Sequence, residues 1–293
     1  MLKKGIDILI ATPGRLLDLH KQDYINLDHI EILVLDEADL MLDMGFIDDI
    51  KKVNRLCPKT KQTLLFSATM PHKVEQLASG ILMAPKRINI TPNKPTIASI
   101  GQALYYVPKR NKMELCLHLL RNTIKGSILI FRRTKFGVNK LEQTLLKNGY
   151  KVESLHGDKT QSARQTALNK FKNNYVNILV ATDVAARGID IHELDAVINF
   201  DMPNVAETYV HRIGRTGRAG QSGMSYSLCS ADEKTYIKTI QQYINTAIPV
   251  EEEHPYPLDP KAKAIIHKSN KPKSKHKKGR KSTASKKKKK RWY

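Results

Sequence analysis

Strand-length apolar runs alternate with amphipathic helical stretches along this chain, break at a proline-marked segment, and then resume. Such alternation belongs to parallel sheets covered by helices, because parallel strands need a crossover between them and bury both faces. In the first half, strands are expected at residues 6–11, 32–35, 63–66 and 87–90, with helices over 46–56 and 73–82. Pro92, Pro95 and their polar neighbours mark a linker. Beyond it, strands are expected at 103–107, 127–131, 151–155, 178–181, 196–200 and 225–228, so a second α/β domain follows the first. At 293 residues the chain has room for two separate cores.

The strand at 32–35 runs into Asp36-Glu37-Ala38-Asp39. Carboxylates at a strand's carboxyl edge are where nucleotide-hydrolysing α/β folds hold Mg²⁺ and orient an attacking water. Taken alone, the pair is equally well an exposed acidic turn. Its neighbours in sequence decide between the two. Thr12-Pro13-Gly14-Arg15 precedes it, Ser67-Ala68-Thr69 follows, and farther on come Ala181-Thr182-Asp183 through Arg187-Gly188-Ile189-Asp190 and His211-Arg212-Ile213-Gly214-Arg215-Thr216-Gly217-Arg218.

In that order these motifs resemble the DEAD-box RNA helicases of superfamily two, over roughly the first 250 residues. The resemblance implies two RecA-like parallel-sheet domains, with ATP and Mg²⁺ as cofactors and RNA as substrate. It divides the chain into residues 1–92, the later part of the first RecA-like domain; 93–100, a linker; 101–247, the second; 248–260, a post-domain extension; and 261–293, a Lys-rich tail. No G-x-x-x-x-G-K-[S/T] phosphate loop occurs in the sequence. The expectation is therefore a chain that starts inside the first domain, without the adenine-reading Q motif, and whose first sheet lacks a central strand.

The resemblance assigns Asp36 to Mg²⁺, through water, and Glu37 to positioning the attacking water. Arg215 and Arg218 become arginine fingers on the γ-phosphate, a task suited to a planar guanidinium that stays charged. Asp190 is the ribose-contacting acid, and Gly188, counted among the cofactor-binding residues, belongs with Thr182 to a segment that touches RNA phosphates. Asp39, Ser67, Thr69 and His211 couple the two domains. For RNA it points to Thr12, Pro13, Gly14, Arg15, Gly45 and Phe46 in the first domain. In the second it points to Arg132, Thr134, Gln161, Arg164 and Thr182, with Phe131 and Lys135 beside them. Phe131 is equally a core residue, and Arg164 equally a surface helix residue.

Charge is unevenly placed. The net +22 resolves into a tail from residue 261 with fourteen Lys, two Arg and no acid, and a body with 34 basic against 28 acidic residues. A tail so poor in apolar residues is expected to be disordered and to bind polyanions by counterion release, with Trp292 and Tyr293 available for base stacking. A nuclear-localisation patch fits the charge alone. The segment around Ile248-Pro249-Val250 and Pro255-Tyr256-Pro257 resembles the RhlE-like bacterial branch. Three scattered cysteines, Cys57, Cys116 and Cys229, fit buried thiols in a reducing cytoplasm, and no apolar run is long enough to span a bilayer. The expectation is a monomeric cytoplasmic RNA helicase, with ribosome-assembly or RNA-decay ribonucleoproteins as partners. The alternative is a non-catalytic RNA-binding protein using the second domain and the tail.

Overall fold

The computed structural model describes residues 5–90, 100–187, 189, 191, 194–217 and 223–259. Its second half is built on a six-stranded sheet: β3 (Ile100–Tyr106), β4 (Ile128–Phe131), β5 (Val152–Leu155), β6 (Ile178–Ala181), β7 (Ala196–Asn199) and β8 (Gly223–Cys229). Every pairing is parallel, in the order β3-β8-β7-β4-β6-β5. All residues of β4, β6 and β7 are buried, as strands covered on both faces must be.

Alternation along the strands sorts their side chains between two apolar layers. Ile128, Ile130, Ile178, Val180, Ala196 and Ile198 pack under α5 (Lys112–Asn122) and α6 (Lys135–Lys147). Leu129, Phe131, Leu179, Ala181 and Val197 face the opposite way, against Ala167 and Phe171 of α7 (Gln161–Lys172) and the short α8 (Asp183–Ala186). A third cluster joins Leu104 of β3 to Tyr209 and Ile213 of α9 (Ala206–Ile213) and to Ile237, Ile240 and Ile244 of α10 (Lys234–Ile244). The sheet's β3 edge is also covered: the Leu104 N–H donates to Pro249 O, the Glu251 N–H to Leu104 O, and the Leu258 N–H to Tyr106 O. Residues 249–258 thus strap an edge that would otherwise expose its backbone donors and acceptors.

The first half holds a smaller parallel pair, β1 (Ile32–Leu35) with β2 (Gln62–Leu65). Around it lie α1 (Pro13–Lys21), α2 (Ala38–Asp43), α3 (Ile47–Leu56) and α4 (His72–Ile81). Leu35, Ile50, Leu77 and Ile81 form its main cluster, and Leu27, Val53 and Cys57 a second. Two expected strands are corrected here. Residues 6–11 and 87–90 carry a β-like pattern but no strand, with Ile8, Ile10, Ile88 and Ile90 exposed at 82, 92, 77 and 88%. A strand exists only where a neighbour accepts its backbone hydrogen bonds, and none lies beside either segment among the described residues. The expected tail lies outside the described residues, as does most of the linker.

Ile32 and Val34 of β1 and Phe66 are also about half exposed. A two-stranded sheet with one apolar face open to water is marginal. Amides of residues 5–90 are therefore expected to exchange with solvent much faster than those of β4, β6 and β7. Equal protection in the two halves by hydrogen exchange would contradict this.

Candidate functional site

The acidic run sits where β1 ends. Glu37 takes a left-handed backbone conformation, φ 51°, ψ 50°, as it caps α2. Its N–H donates to Asp36 Oδ1 at 2.8 Å, and both side chains are exposed. A left-handed non-glycine residue stores strain that recurs at functional sites; here it turns two neighbouring carboxylates outward at one strand end.

Asp39 faces inward to the segment after β2. Its Oδ2 accepts from Thr69 Oγ1 at 2.8 Å and from the Thr69 N–H at 3.0 Å, and the Asp39 N–H donates to Ser67 Oγ at 3.2 Å. Burial pushes the Asp39 carboxyl up, but the hydrogen bonds from Thr69, Leu40 and Ser67 outweigh it and hold the group below its ordinary value. The small hydroxyls at 67 and 69 thus bond the acidic run, as their position in the sequence implies.

In the second half, Arg212 is only 2% exposed. Its Nε and Nη2 donate to the two carboxylate oxygens of Asp183 at 2.6 and 2.8 Å, and its Nη1 to Asn199 Oδ1 and to Asp201 O. The guanidinium carbon lies 4.9 Å from the Phe131 ring centre. Of the neighbouring arginines, Arg212 is thus a framework residue, while Arg215 stays half-buried nearby and donates to Ile189 O at 3.0 Å. Phe131 is core, 2% exposed.

The two halves confront each other through charge. Arg187 Nη1 lies 3.3 Å from Asp43 Oδ2 at the end of α2. His211 is pushed below its ordinary value by burial first, then by Arg187 and Arg215, against the opposing pull of Asp39 and Glu207. Asp39 and His211, both expected to couple the domains, therefore lie within electrostatic reach across the boundary. Asp43 and Arg187 were not singled out from sequence. Nothing in their spacing marks them, since the contact spans 144 residues. Gly188, Asp190 and Arg218 lie outside the described residues.

The residues expected at RNA fall on loops and helix starts. Thr12 precedes α1 with Pro13 at its first position, and Arg15 pairs with Asp18 at 2.8 Å. Gly45, with φ 83°, makes the turn between α2 and α3 that an L-residue rarely adopts, and Phe46 packs partly into the first-half core. Thr134 caps α6 by accepting from the Gly137 N–H. Gln161 opens α7, Arg164 donates to Gln161 Oε1 at 3.4 Å and to Ala185 O at 3.5 Å, and Thr182 immediately precedes α8. Arg132 is turned inward, donating to Asp201 at 2.7 Å over the Phe200 ring. Thr134 and Thr182 follow β4 and β6 and Gln161 follows the β5 loop, so all three lie at the carboxyl edge of one sheet.

Two family models match this chain: the DEAD/DEAH box helicase model over residues 1–77 and the helicase conserved C-terminal domain over residues 111–220. The DEAD-box protein SrmB of E. coli, solved bound to the regulator of ribonuclease activity A, is 35% identical, with 98% of its solved chain covered by 55% of this one at a TM-score of 0.51. The chain belongs to the DEAD-box helicase family. The DEAD-box ATP-dependent RNA helicase CshA of Bacillus subtilis is 44% identical over 241 residues, 82% of this chain and 49% of that protein. This DEAD-box chain thus spans about half the length of the curated relatives it matches. S. cerevisiae Dbp5 bound to RNA and ADP BeF3 overlays with a TM-score of 0.72 at 34% identity, covering 82% of this chain and 65% of that one.

In this DEAD-box member the Asp39 contacts predict a pH effect. Because the folded-state carboxyl is depressed, its contribution to stability is present above the ordinary carboxylate range and is lost as pH falls through the depressed value. Thr69→Val removes the strongest opposing hydrogen bond, so the Asp39 titration seen by carboxyl-carbon NMR should move upward. An unmoved titration would refute the assignment.

Proposed function

We propose that the chain forms part of an ATP-dependent RNA helicase that locally opens or remodels RNA duplexes, with Asp36, Glu37, Arg215 and Arg218 serving the triphosphate. The observation that carries this reading is the meeting of α2 with the second half, where Asp43 lies 3.3 Å from Arg187 and Asp39 acts on His211. Phosphoryl transfer is catalysed mainly by positioning and by charge placed around the γ-phosphate, and carboxylates on one lobe with guanidinium groups on the other would supply both.

ATP and Mg²⁺ fit these side chains. Among the described residues no group of three or more His, Cys, Asp or Glu could by itself hold a metal ion. Mg²⁺ would be held by Asp36 together with phosphate and water oxygens, the usual arrangement for this ion, and it supplies neutralisation of phosphate charge. Glu37, exposed beside Asp36, orients the attacking water. Arg215 and Arg218 would take the transferring group from the other lobe, Asp190 the ribose, Gly188 would permit close backbone approach, and Asp39, Ser67, Thr69 and His211 would transmit closure. RNA lies across Thr12, Pro13, Gly14, Arg15, Gly45 and Phe46 on one lobe and Thr134, Gln161, Arg164 and Thr182 on the other. Arg132 joins them only if its bond to Asp201 opens.

A monomeric cytoplasmic protein of the RhlE-like branch, acting on ribosome-assembly or RNA-decay ribonucleoproteins, is the setting this reading favours. No helix among the described residues is long and apolar enough to cross a membrane. The second reading is RNA binding without turnover, through the second domain and the Lys-rich tail.

RNA-stimulated ATP hydrolysis separates the two. Turnover that Glu37→Gln abolishes, and that Arg215→Ala slows by roughly 10³-fold, supports the enzyme; RNA binding with no turnover supports the second reading. Removal of residues 261–293 should weaken RNA binding across all sequences and flatten its salt dependence. Unchanged affinity and slope would show that the Lys-rich segment is no RNA anchor.

A further inference from the structure

We propose that Phe136, at the start of α6, is a stacking platform for one unpaired base of an RNA strand lying on the carboxyl edge of the second sheet. The inference rests on the reading above that the loops after β4 and β5 hold RNA, and it adds a residue that no motif in the sequence marks.

Phe136 is 75% exposed, the most open large apolar side chain among the described residues of the second half. It belongs to none of that half's three apolar clusters, and no cation among the described residues sits over its ring. Its helix neighbours show why. Asn139 and Lys140, three and four residues on, are exposed polar side chains, whereas Val138, Leu141 and Leu145 face the core. Leu146, the next exposed apolar residue of α6, lies about 15 Å farther along the helix.

A lone exposed apolar residue is ordinary; the place of this one gives it a use. Thr134 caps α6 by accepting from the Gly137 N–H at 3.0 Å, and Phe136 lies between them in sequence. In a helix each Cα–Cβ bond tilts toward the N-terminus, so the Phe136 side chain sets off back toward Thr134 and the strand ends instead of along α6. Lys135 pairs with Asp158 at 2.8 Å, which ties the start of α6 to the loop that leads from β5 into Gln161. The ring thus stands beside the junction of the two loops.

One ring in polar surroundings is too small for a protein partner, whose stable docking takes about 800 Å² on each side around an apolar centre. It is large enough for a base, since every base offers a π-face to an aromatic side chain. Charge contributes little here. Lys135 and Asp158 cancel, Arg133 is tied to Glu233 and Met202 O, and Lys159 lies 3.4 Å from Glu142, which leaves Lys140 beside the ring. A stacked base must present an open face, which an unpaired strand does at every nucleotide and a duplex only at its ends.

The test measures binding of the full chain to an unstructured single-stranded RNA of about ten nucleotides, by fluorescence anisotropy across salt concentrations. Phe136→Ala should weaken binding roughly tenfold, the worth of one stacked base, and leave the salt slope unchanged because no phosphate contact is lost. Phe136→Tyr should bind as the wild type does. The side chain is exposed, so neither change opens a cavity. As a direct readout, Phe136→Trp combined with Trp292→Phe leaves a single tryptophan, whose emission the RNA should quench and inorganic polyphosphate, an anion without bases, should not.

Unchanged affinity in Phe136→Ala, a salt slope that falls with the affinity, a Phe136→Tyr loss equal to that of alanine, or quenching by polyphosphate equal to that by RNA would each overturn the platform. Gln161→Ala separates the two readings. If it leaves affinity intact while Phe136→Ala lowers it, the placement of RNA on the β5 loop falls and the platform stands; the reverse result removes the platform alone.

Discussion

The Arg212 guanidinium is the point on which the second half turns. It is buried, saturated by Asp183, Asn199 and the Asp201 carbonyl, and laid against Phe131. Those partners sit at the ends of β4 and β7 and at the start of α8, so one cation fixes three elements relative to α9. A buried charge is tolerated only when its hydrogen bonds are filled, and removing one partner leaves the other uncompensated at a cost of about 3–5 kcal/mol. His211 and Arg215 flank Arg212 in sequence. Their placement at the boundary follows from how firmly α9 is held.

A second buried network works the same way nearer the β3 edge. Glu233 accepts from Lys112, Arg133, the Met202 N–H and the Ser230 N–H. It locks the loops after β7 and β8 to the start of α5. The sheet's carboxyl edge is therefore a stiff platform. The first half is built differently, with a two-stranded sheet, exposed β-branched residues and a strained Glu37 turn. One half is braced by buried, filled charges, and the other is thinly packed.

Much of the fold was legible because its signals are local. All six strands of the second sheet lie within a few residues of their expected positions, since buried parallel strands read as continuous apolar runs whatever their neighbours. Residues 6–11 and 87–90 show the limit: their pattern is equally β-like, but strand formation depends on a partner the local sequence does not name. The cysteines were expected to be buried and all three are, with the Cys116 and Cys229 thiols pushed up to about 12, chiefly by burial.

By itself the sequence determined the alternation of strands and helices, the acidic turn after β1, the hydroxyls that bond it and the ordered motifs that mark the family. These follow from side-chain chemistry and spacing along one dimension. Only the tertiary structure decided which arginine of the 211–218 segment is framework, that Arg132 and Phe131 turn inward, and that Asp43 meets Arg187. Each of those outcomes depends on which distant residues share a buried space, because desolvating a charge is tolerated only where a partner waits, and that partner lies tens to more than a hundred residues away.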